Sequence, residues 1–236
     1  MAAVAKRRKR LAVVIPTLNE AQGITGLLES LQPLRTRGHR LLVVDGGSCD
    51  DTPDLARPLA DAVLQAPQGR AMQMHAGALA SDAEVLWFLH ADSRVPQDAD
   101  RLIESALMRP GVRWGYFNIR LEDAGGLLRL VARMMNLRTR LTGIVTGDQG
   151  LFVYRDSYLR AGGFPPVPLM EDIALSKRLR RVARPGAARA VLQTSARRWQ
   201  RHGILRTILL MWILRLGYWL GLQPRYLARM YRAHGT

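Results

Sequence analysis

Val85-Leu86-Trp87-Phe88-Leu89-His90-Ala91-Asp92 decides how this chain folds. Five apolar residues in succession are too few for a stable isolated helix and fit a strand buried on both faces, as in a parallel sheet. Side chains alternate along an extended chain, so His90 and Asp92 point the same way from the strand's carboxyl end, where open α/β sheets place their ligands. A carboxylate there can hold a divalent cation against a diphosphate. It can equally cap a turn before Val95-Pro96, with His90 an ordinary strand-end histidine.

The flanking segments bear on that choice. Leu11-Ala12-Val13-Val14-Ile15 reads as a first strand, Pro16-Thr17-Leu18-Asn19-Glu20 as a polar turn, and Ile24 to Leu31 as a helix with Leu27, Leu28 and Leu31 on one side. A second buried strand, Leu41 to Val44, ends in Asp45-Gly46-Gly47-Ser48. This is a βαβ unit, whose crossover is right-handed, so the sheet begins parallel. Glycines 46 and 47 let backbone approach a ligand, and Asp45 offers an acceptor to a nucleobase N–H or a ribose hydroxyl; taken singly, the same residues are a turn. The loop is neither GxGxxG nor GxxxxGK[ST], so a dinucleotide site and a P-loop are both unsupported. Asp51-Thr52-Pro53 has a cap and a proline suited to a helix start, and Pro58 keeps that helix short or kinked.

Farther on, Ala62 to Leu64 is a short strand, and a helix runs from Ala71 to about Ala80. Arg70, beside that helix's free amides, suits a phosphate, although alone it reads as a surface arginine. A helix from Gln97 to Met108 and a strand from Trp114 to Leu121 follow. Ala124 to Leu141 is helical, with Leu127, Leu128, Val131, Met134, Met135 and Leu137 as a core stripe. Gly143 to Gly150 is a polar loop carrying Asp148 and Gln149, and Leu151 to Tyr154 is another strand. Glu171 and Asp172 open a helix. Acids in a first turn complement the helix dipole, and either can also serve as a general base. After a short strand near Ala190 to Leu192, Arg197-Arg198-Trp199 can bind a diphosphate, stack on a sugar, or form a solvated basic face.

At 236 residues, with 48% hydrophobic and 23% charged, the chain has room for one sizeable α/β domain with an appendage. A net charge of +16 implies polyanionic company: nucleic acid, anionic lipid or phosphorylated substrates. The single cysteine, Cys49, allows no internal disulfide and no cysteine metal cluster, which fits a reducing compartment. Lys6 to Arg10 precedes an apolar stretch too short for a signal peptide, so residues 1–10 read as a basic arm. Ile204 to Leu222 is apolar but interrupted by Arg206 and Arg215, each costing about 2.5–3.5 kcal/mol inside a bilayer. A helix lying on a membrane surface is preferred over one folded onto the domain or paired with a second subunit.

Val13 to Glu20, Val43 to Ser48, Gly69-Arg70 with Ala76-Gly77, His90-Ala91-Asp92, Gly147-Asp148-Gln149 and Glu171-Asp172 together resemble glycosyltransferase family 2. The likeness is to its small stand-alone bacterial selenodomain-associated members and covers nearly the whole chain. It implies an α/β GT-A fold with a mostly parallel sheet covered by helices on both faces, a catalytic domain over 11–202 and an apolar, basic helical tail over 203–236. It further implies a nucleotide-diphosphate sugar donor, a divalent metal (Mn²⁺ or Mg²⁺) and inversion at the anomeric carbon. By position, Pro16, Thr17, Glu20 and Asp45 hold the nucleoside, and Arg70, Ala91 and Asp92 lie along the donor. Asp92, with His90, ligates the metal, and Asp172 or else Glu171 is the base. Asp148, Gln149, Arg198 and Trp199 meet acceptor or diphosphate. Two departures stand out. Ser195 replaces the glutamine of a Gln-x-x-Arg-Trp motif, which speaks against processivity. His90 replaces the first aspartate of Asp-x-Asp, and imidazole suits Mn²⁺ better than Mg²⁺. The expectation is a cytoplasmic enzyme peripheral to the inner face of the membrane, with an acceptor for which a lipid-linked one is an option and no specific nucleic acid; a homodimer through the tail is an alternative. Rival readings are a nucleotidyltransferase on a related sheet, which needs a glycine-rich basic loop after strand one, and a non-enzymatic binder of nucleic acid or anionic membrane.

Overall fold

A computed structural model of the chain describes residues 10–122, 125–195 and 203–235. Within them β1 (Leu11–Thr17), α1 (Ala21–Thr36), β2 (Arg40–Asp45), α2 (Thr52–Ala56), β3 (Ala62–Gln65), α3 (Arg70–Leu79) and β4 (Val85–Phe88) follow one another. They are joined by β5 (Ser93–Arg94), α4 (Ala99–Leu107), β6 (Val112–Leu121), α5 (Gly126–Thr142), a 3₁₀ turn (Gly147–Gln149), β7 (Phe152–Tyr154), α6 (Arg155–Arg160), α7 (Glu171–Leu179) and β8 (Arg184–Thr194). Two further helices, α8 (Ile204–Trp219) and α9 (Pro224–Gly235), end the described chain.

Among the described residues the strands form one eight-stranded sheet ordered β3-β2-β1-β4-β7-β6-β8-β5. The pairs β2–β3, β1–β2 and β1–β4 are parallel, as the βαβ pattern requires; β7 runs antiparallel to both β4 and β6. The alternation of side chains divides the core in two. Val13, Ile15, Val43 and Trp87 face α1, α2 and α4, whereas Ala12, Val14, Val44 and Phe88 face α3, α6 and α7. A slip of one residue in β1 would exchange these faces. Gly77 permits the close seating of α3, because a methyl there would come within 2.5 Å of Val14 and 2.9 Å of Val44.

Several local expectations need correction. The proline-limited helix after Asp51 is five residues long, yet Asp51 makes no side-chain cap; Asp50 instead accepts from the Thr52 amide at 3.1 Å. In α5 only Leu128 of the expected core stripe is buried, while Leu127, Met134 and Leu137 are exposed. The strand near Ala190 is much longer than expected, running from Arg184 through Pro185-Gly186. Its pairing with β6 holds Gly186 opposite Gly115 and shifts register on either side, between Val112 and Gly115 and between Tyr116 and Asn118.

Candidate functional site

The carboxyl ends of β1, β2 and β4 lie side by side, and Thr17 is paired with Asp45. Asp45 is buried, and both of its oxygens are engaged. Thr17 Oγ1 (3.2 Å) and Ser48 Oγ (2.5 Å) donate to Oδ1, while the amides of Gly47 (2.9 Å) and Ser48 (2.8 Å) donate to Oδ2. Burial pushes this carboxyl's pKa upward, but the hydrogen bonds from Ser48, Gly47 and Thr17 outweigh it and hold the group below its ordinary range. Asp45 therefore shapes the loop. Sequence reasoning missed the group beneath it: buried Gln73 sends Nε2 to the carbonyls of Thr17 (2.7 Å) and Val44 (2.8 Å), tying α3 to both strand ends.

Beyond these strand ends opens a cavity of about 1090 Å³. Glu20, Arg70, His90, Asp92 and Asp148 line its polar end, so five residues far apart in sequence share one wall. Arg70 opens into it from the first turn of α3. Crowding by protein acts to lower its pKa, and the charges of Glu171, Tyr231, Asp148 and Asp92 outweigh that and raise it. His90 Nδ1 stands 3.5 Å from Asp148 Oδ1, and its buried Nε2 has no hydrogen-bond partner among the described residues. Gly147 lets the loop lie against this imidazole, because a methyl there would come within 2.5 Å of the ring.

Glu171 and Asp172 begin α7 behind the same wall. Asp172 Oδ2 accepts from the Gly147 amide at 2.9 Å and Oδ1 from the Ile173 amide at 2.7 Å. Glu171 is buried. Burial, and then the charge of Asp172, raise its pKa against the opposing pull of Arg70 and His90. Met170, just before this pair, holds a left-handed φ of 66°, a strained value for a side-chain-bearing residue, and is clamped in a cluster with Ile173, Leu214 and Leu227. The helices α8 and α9 thus fix the start of α7.

Other expected residues sit elsewhere. Gln149 is fully buried, its Oε1 accepting from Thr139 Oγ1 at 2.8 Å and the Thr146 amide at 3.1 Å, so it closes the 3₁₀ turn instead of meeting an acceptor. Ala91 packs in the core and Pro16 is buried in β1. Arg198 and Trp199 lie outside the described residues. Two cavity residues went unassigned, Arg138 on α5 and Arg215 on α8, each a charge interrupting an apolar stretch. Among the described residues no three His, Cys, Asp or Glu side chains gather closely enough to hold a metal unaided.

The model of glycosyl transferase family 2 matches residues 12–161, which contain the β1, β2 and β4 ends, Arg70 and Asp148. The chain belongs to glycosyltransferase family 2. It is 36% identical over 105 residues to the succinoglycan biosynthesis protein ExoA of Rhizobium meliloti, covering 40% of this chain and 32% of that protein. It is also 36% identical over 89 residues to a dolichyl-phosphate hexose transferase of Haloferax volcanii, covering 37% and 39%. The matches thus span about a third of the length of these relatives. Among solved structures, the mannosyltransferase PcManGT of Pyrobaculum calidifontis, in complex with GDP-Man and Mn²⁺, superposes with a TM-score of 0.63 at 21% identity, over 80% of this chain and 57% of that one. Glucosyl-3-phosphoglycerate synthase of Mycobacterium tuberculosis, with Mn²⁺, UDP and glucosyl-3-phosphoglycerate, gives 0.60 at 20% identity over 81% and 72%. The GT-A fold expected of the family is the fold of this chain.

Proposed function

We propose that this family 2 member is an inverting glycosyltransferase that moves a sugar from a nucleotide-diphosphate donor to an acceptor hydroxyl. One observation carries this reading: Arg70, Asp92 and Asp148 converge on a single cavity at the carboxyl edge of the sheet, with Glu171–Asp172 directly behind. The nucleoside lies over the β1 and β2 ends, on the loop that Asp45 and Gln73 hold rigid. The diphosphate lies toward Arg70, whose charge meets the negative charge that grows as the glycosidic bond breaks. Asp172 takes the proton of the acceptor hydroxyl as that oxygen attacks the anomeric carbon from the face opposite the departing diphosphate. Backbone amides fix both oxygens of Asp172 in direction, which suits a positioned base.

The donor set fits a cation shared with the substrate. Among the described residues Asp92 and His90 supply too few ligands alone, and the buried Nε2 of His90 has no hydrogen-bond partner there, while its other nitrogen faces Asp148. Asp92, with His90, would hold a divalent ion there, Mn²⁺ suiting an imidazole better than Mg²⁺. When bound, such an ion neutralises charge on the diphosphate. The relatives crystallised with Mn²⁺ and GDP-Man or UDP support this reading.

We place the enzyme peripherally on a membrane, at its cytoplasmic face. Trp212 and Trp219 of α8 are 68% and 75% exposed, and no described helix is long and apolar enough to cross a bilayer. The test is a panel of nucleotide-sugars scored for nucleoside diphosphate release with and without Mn²⁺. Asp92→Ala is expected to abolish metal-dependent release, and Asp172→Asn to block transfer while donor binding stays nearly intact. Variants at 92 and 172 that turn over like the parent would overturn the assignment.

A further inference from the structure

The segment from Gly143 to Gly150 carries both Asp148 and the amide that meets Asp172, and buried polar groups from α5 and α7 hold it. Its two ends are left-handed glycines, with φ of 65° and 54°, so the chain turns sharply at each. Between them Gln149 Oε1 accepts from three donors: Thr139 Oγ1 at 2.8 Å, the Thr146 amide at 3.1 Å and Thr146 Oγ1 at 3.2 Å. A backbone amide only donates, which identifies that atom of Gln149 as the oxygen. Arg138 Nη2 in turn donates to the hydroxyls of Thr139 (3.3 Å) and Thr146 (3.4 Å), so guanidinium, hydroxyls and carboxamide form one directed chain.

On its other side the segment is stitched to α7. Ser176 Oγ accepts from the Val145 amide and donates to the Val145 carbonyl, both at 3.1 Å. One helical turn earlier, Asp172 Oδ2 accepts from the Gly147 amide at 2.9 Å. The carboxylate's other hydrogen bond comes from Ile173, its own neighbour in the helix. Among the described residues the Gly147 amide is therefore the hydrogen bond that ties Asp172 to another element. Thr139, Gln149 and Ser176 are all fully buried. Stability alone accounts poorly for so much buried polarity: Gln149 Nε2 and Arg138 Nε have no hydrogen-bond partner among the described residues, and an apolar filling would avoid that cost. What hydrogen bonds supply and apolar packing does not is direction.

We propose that Thr139, Gln149 and Ser176 are positioning residues for the reaction: their bonds set the Gly147 amide, and that amide aims the Asp172 carboxylate at the acceptor hydroxyl. This rests on the reading of Asp172 as the base and deepens it, placing the support of the base on α5 and on the second turn of α7. None of their hydrogen bonds reaches the nucleoside loop at the ends of β1 and β2, so disturbing them costs turnover and leaves donor binding alone. Misplacement of a reacting group by about 1 Å costs a rate of about a hundredfold, so a small shift of the turn is enough.

Release of nucleoside diphosphate tests this, using the nucleotide-sugar of the panel that the parent turns over fastest, with water as acceptor. The water oxygen bonds to the anomeric carbon, its proton passes to Asp172, and the electron pair of the broken carbon–oxygen bond leaves with the diphosphate. Thr139→Val is expected to lower kcat at least tenfold while KM for the nucleotide-sugar stays within about twofold. Thr139→Ser, which keeps the hydroxyl, is expected to recover the parent rate within about threefold. The Gly147 amide proton, followed by NMR in protein labelled with ¹⁵N-glycine, is expected to exchange at least tenfold faster in Thr139→Val and at the parent rate in Thr139→Ser. Ser176→Ala is expected to show the same split between kcat and KM, and it carries the test if Thr139→Val does not fold. A folded Thr139→Val or Ser176→Ala with the parent kcat, a loss carried by KM, or a Thr139→Ser as impaired as Thr139→Val would overturn the proposal. An inactive Asp172→Asn with kcat unmoved in these variants sinks this inference alone. Asp172→Asn turning over like the parent, or a parent that releases no nucleoside diphosphate, sinks the base reading and this inference with it.

Discussion

The imidazole of His90 leaves no room for a side chain at position 147, since a methyl there would sit 2.5 Å from Cε1 and Nε2. Gly147→Ala must displace either the ring or the amide that holds Asp172. Overpacking of this kind costs about 1–3 kcal/mol, and the expected outcome is a fall in turnover of tenfold or more at saturating donor. Gln73→Ala removes two buried hydrogen bonds at the root of the nucleoside loop; denaturant midpoints should show a loss of about 1–3 kcal/mol. Glu171 gives a pH signature. Its pKa in the fold is raised above the ordinary 4.5, so the folded state favours the protonated form. Its contribution is complete below the ordinary value and is lost as pH rises through the raised one. Glu171→Gln should therefore gain stability over the parent at pH 7 and lose that gain near pH 4; a constant difference would contradict the assignment. Asp92 and Arg70 are legible in the sequence because one follows the end of β4 and the other opens α3, and Asp148 because it stands in a motif of the family resemblance. The sequence could not tell that Asp45 and Gln149 spend their acceptors on their own loops, since that depends on which amides curl toward them.

Helix periodicity located α5 and α7, but it does not say what covers each stripe. The leucines and methionines of α5 read as core and instead wall a cavity, and the charges that reveal this, Arg138 and Arg215, lie on helices distant in sequence. The strand expected near Ala190 begins earlier, because Gly115 and Gly186 pack so closely that neither accepts a side chain and the pairing of β8 with β6 continues past them. Burial by α8 of the Met170–Ile173 cluster couples the last helices to the acid pair. Leu214 is fully buried there, so Leu214→Ala is expected to cost about 2–5 kcal/mol. Transfer should fall further than nucleotide binding, because α7 is disturbed and the β1 and β2 ends are not.

Over the whole molecule, the proposed placement on an anionic bilayer rests on a net charge of +16 and the exposed apolar residues of α8. Co-sedimentation with vesicles containing acidic phospholipid should fall steeply between low and high salt and should drop with Trp212→Ser/Trp219→Ser. Binding that ignores both would detach the enzyme from the membrane. The account depends most on the cavity at the sheet edge being the place where a nucleotide-diphosphate sugar is held through Asp92. Titration of nucleoside diphosphate into the parent and into Asp92→Ala, with and without Mn²⁺, measures this directly. The prediction is that Mn²⁺ tightens binding to the parent at least tenfold and leaves Asp92→Ala unaffected; equal tightening in both proteins, or no nucleotide binding by the parent, would contradict it.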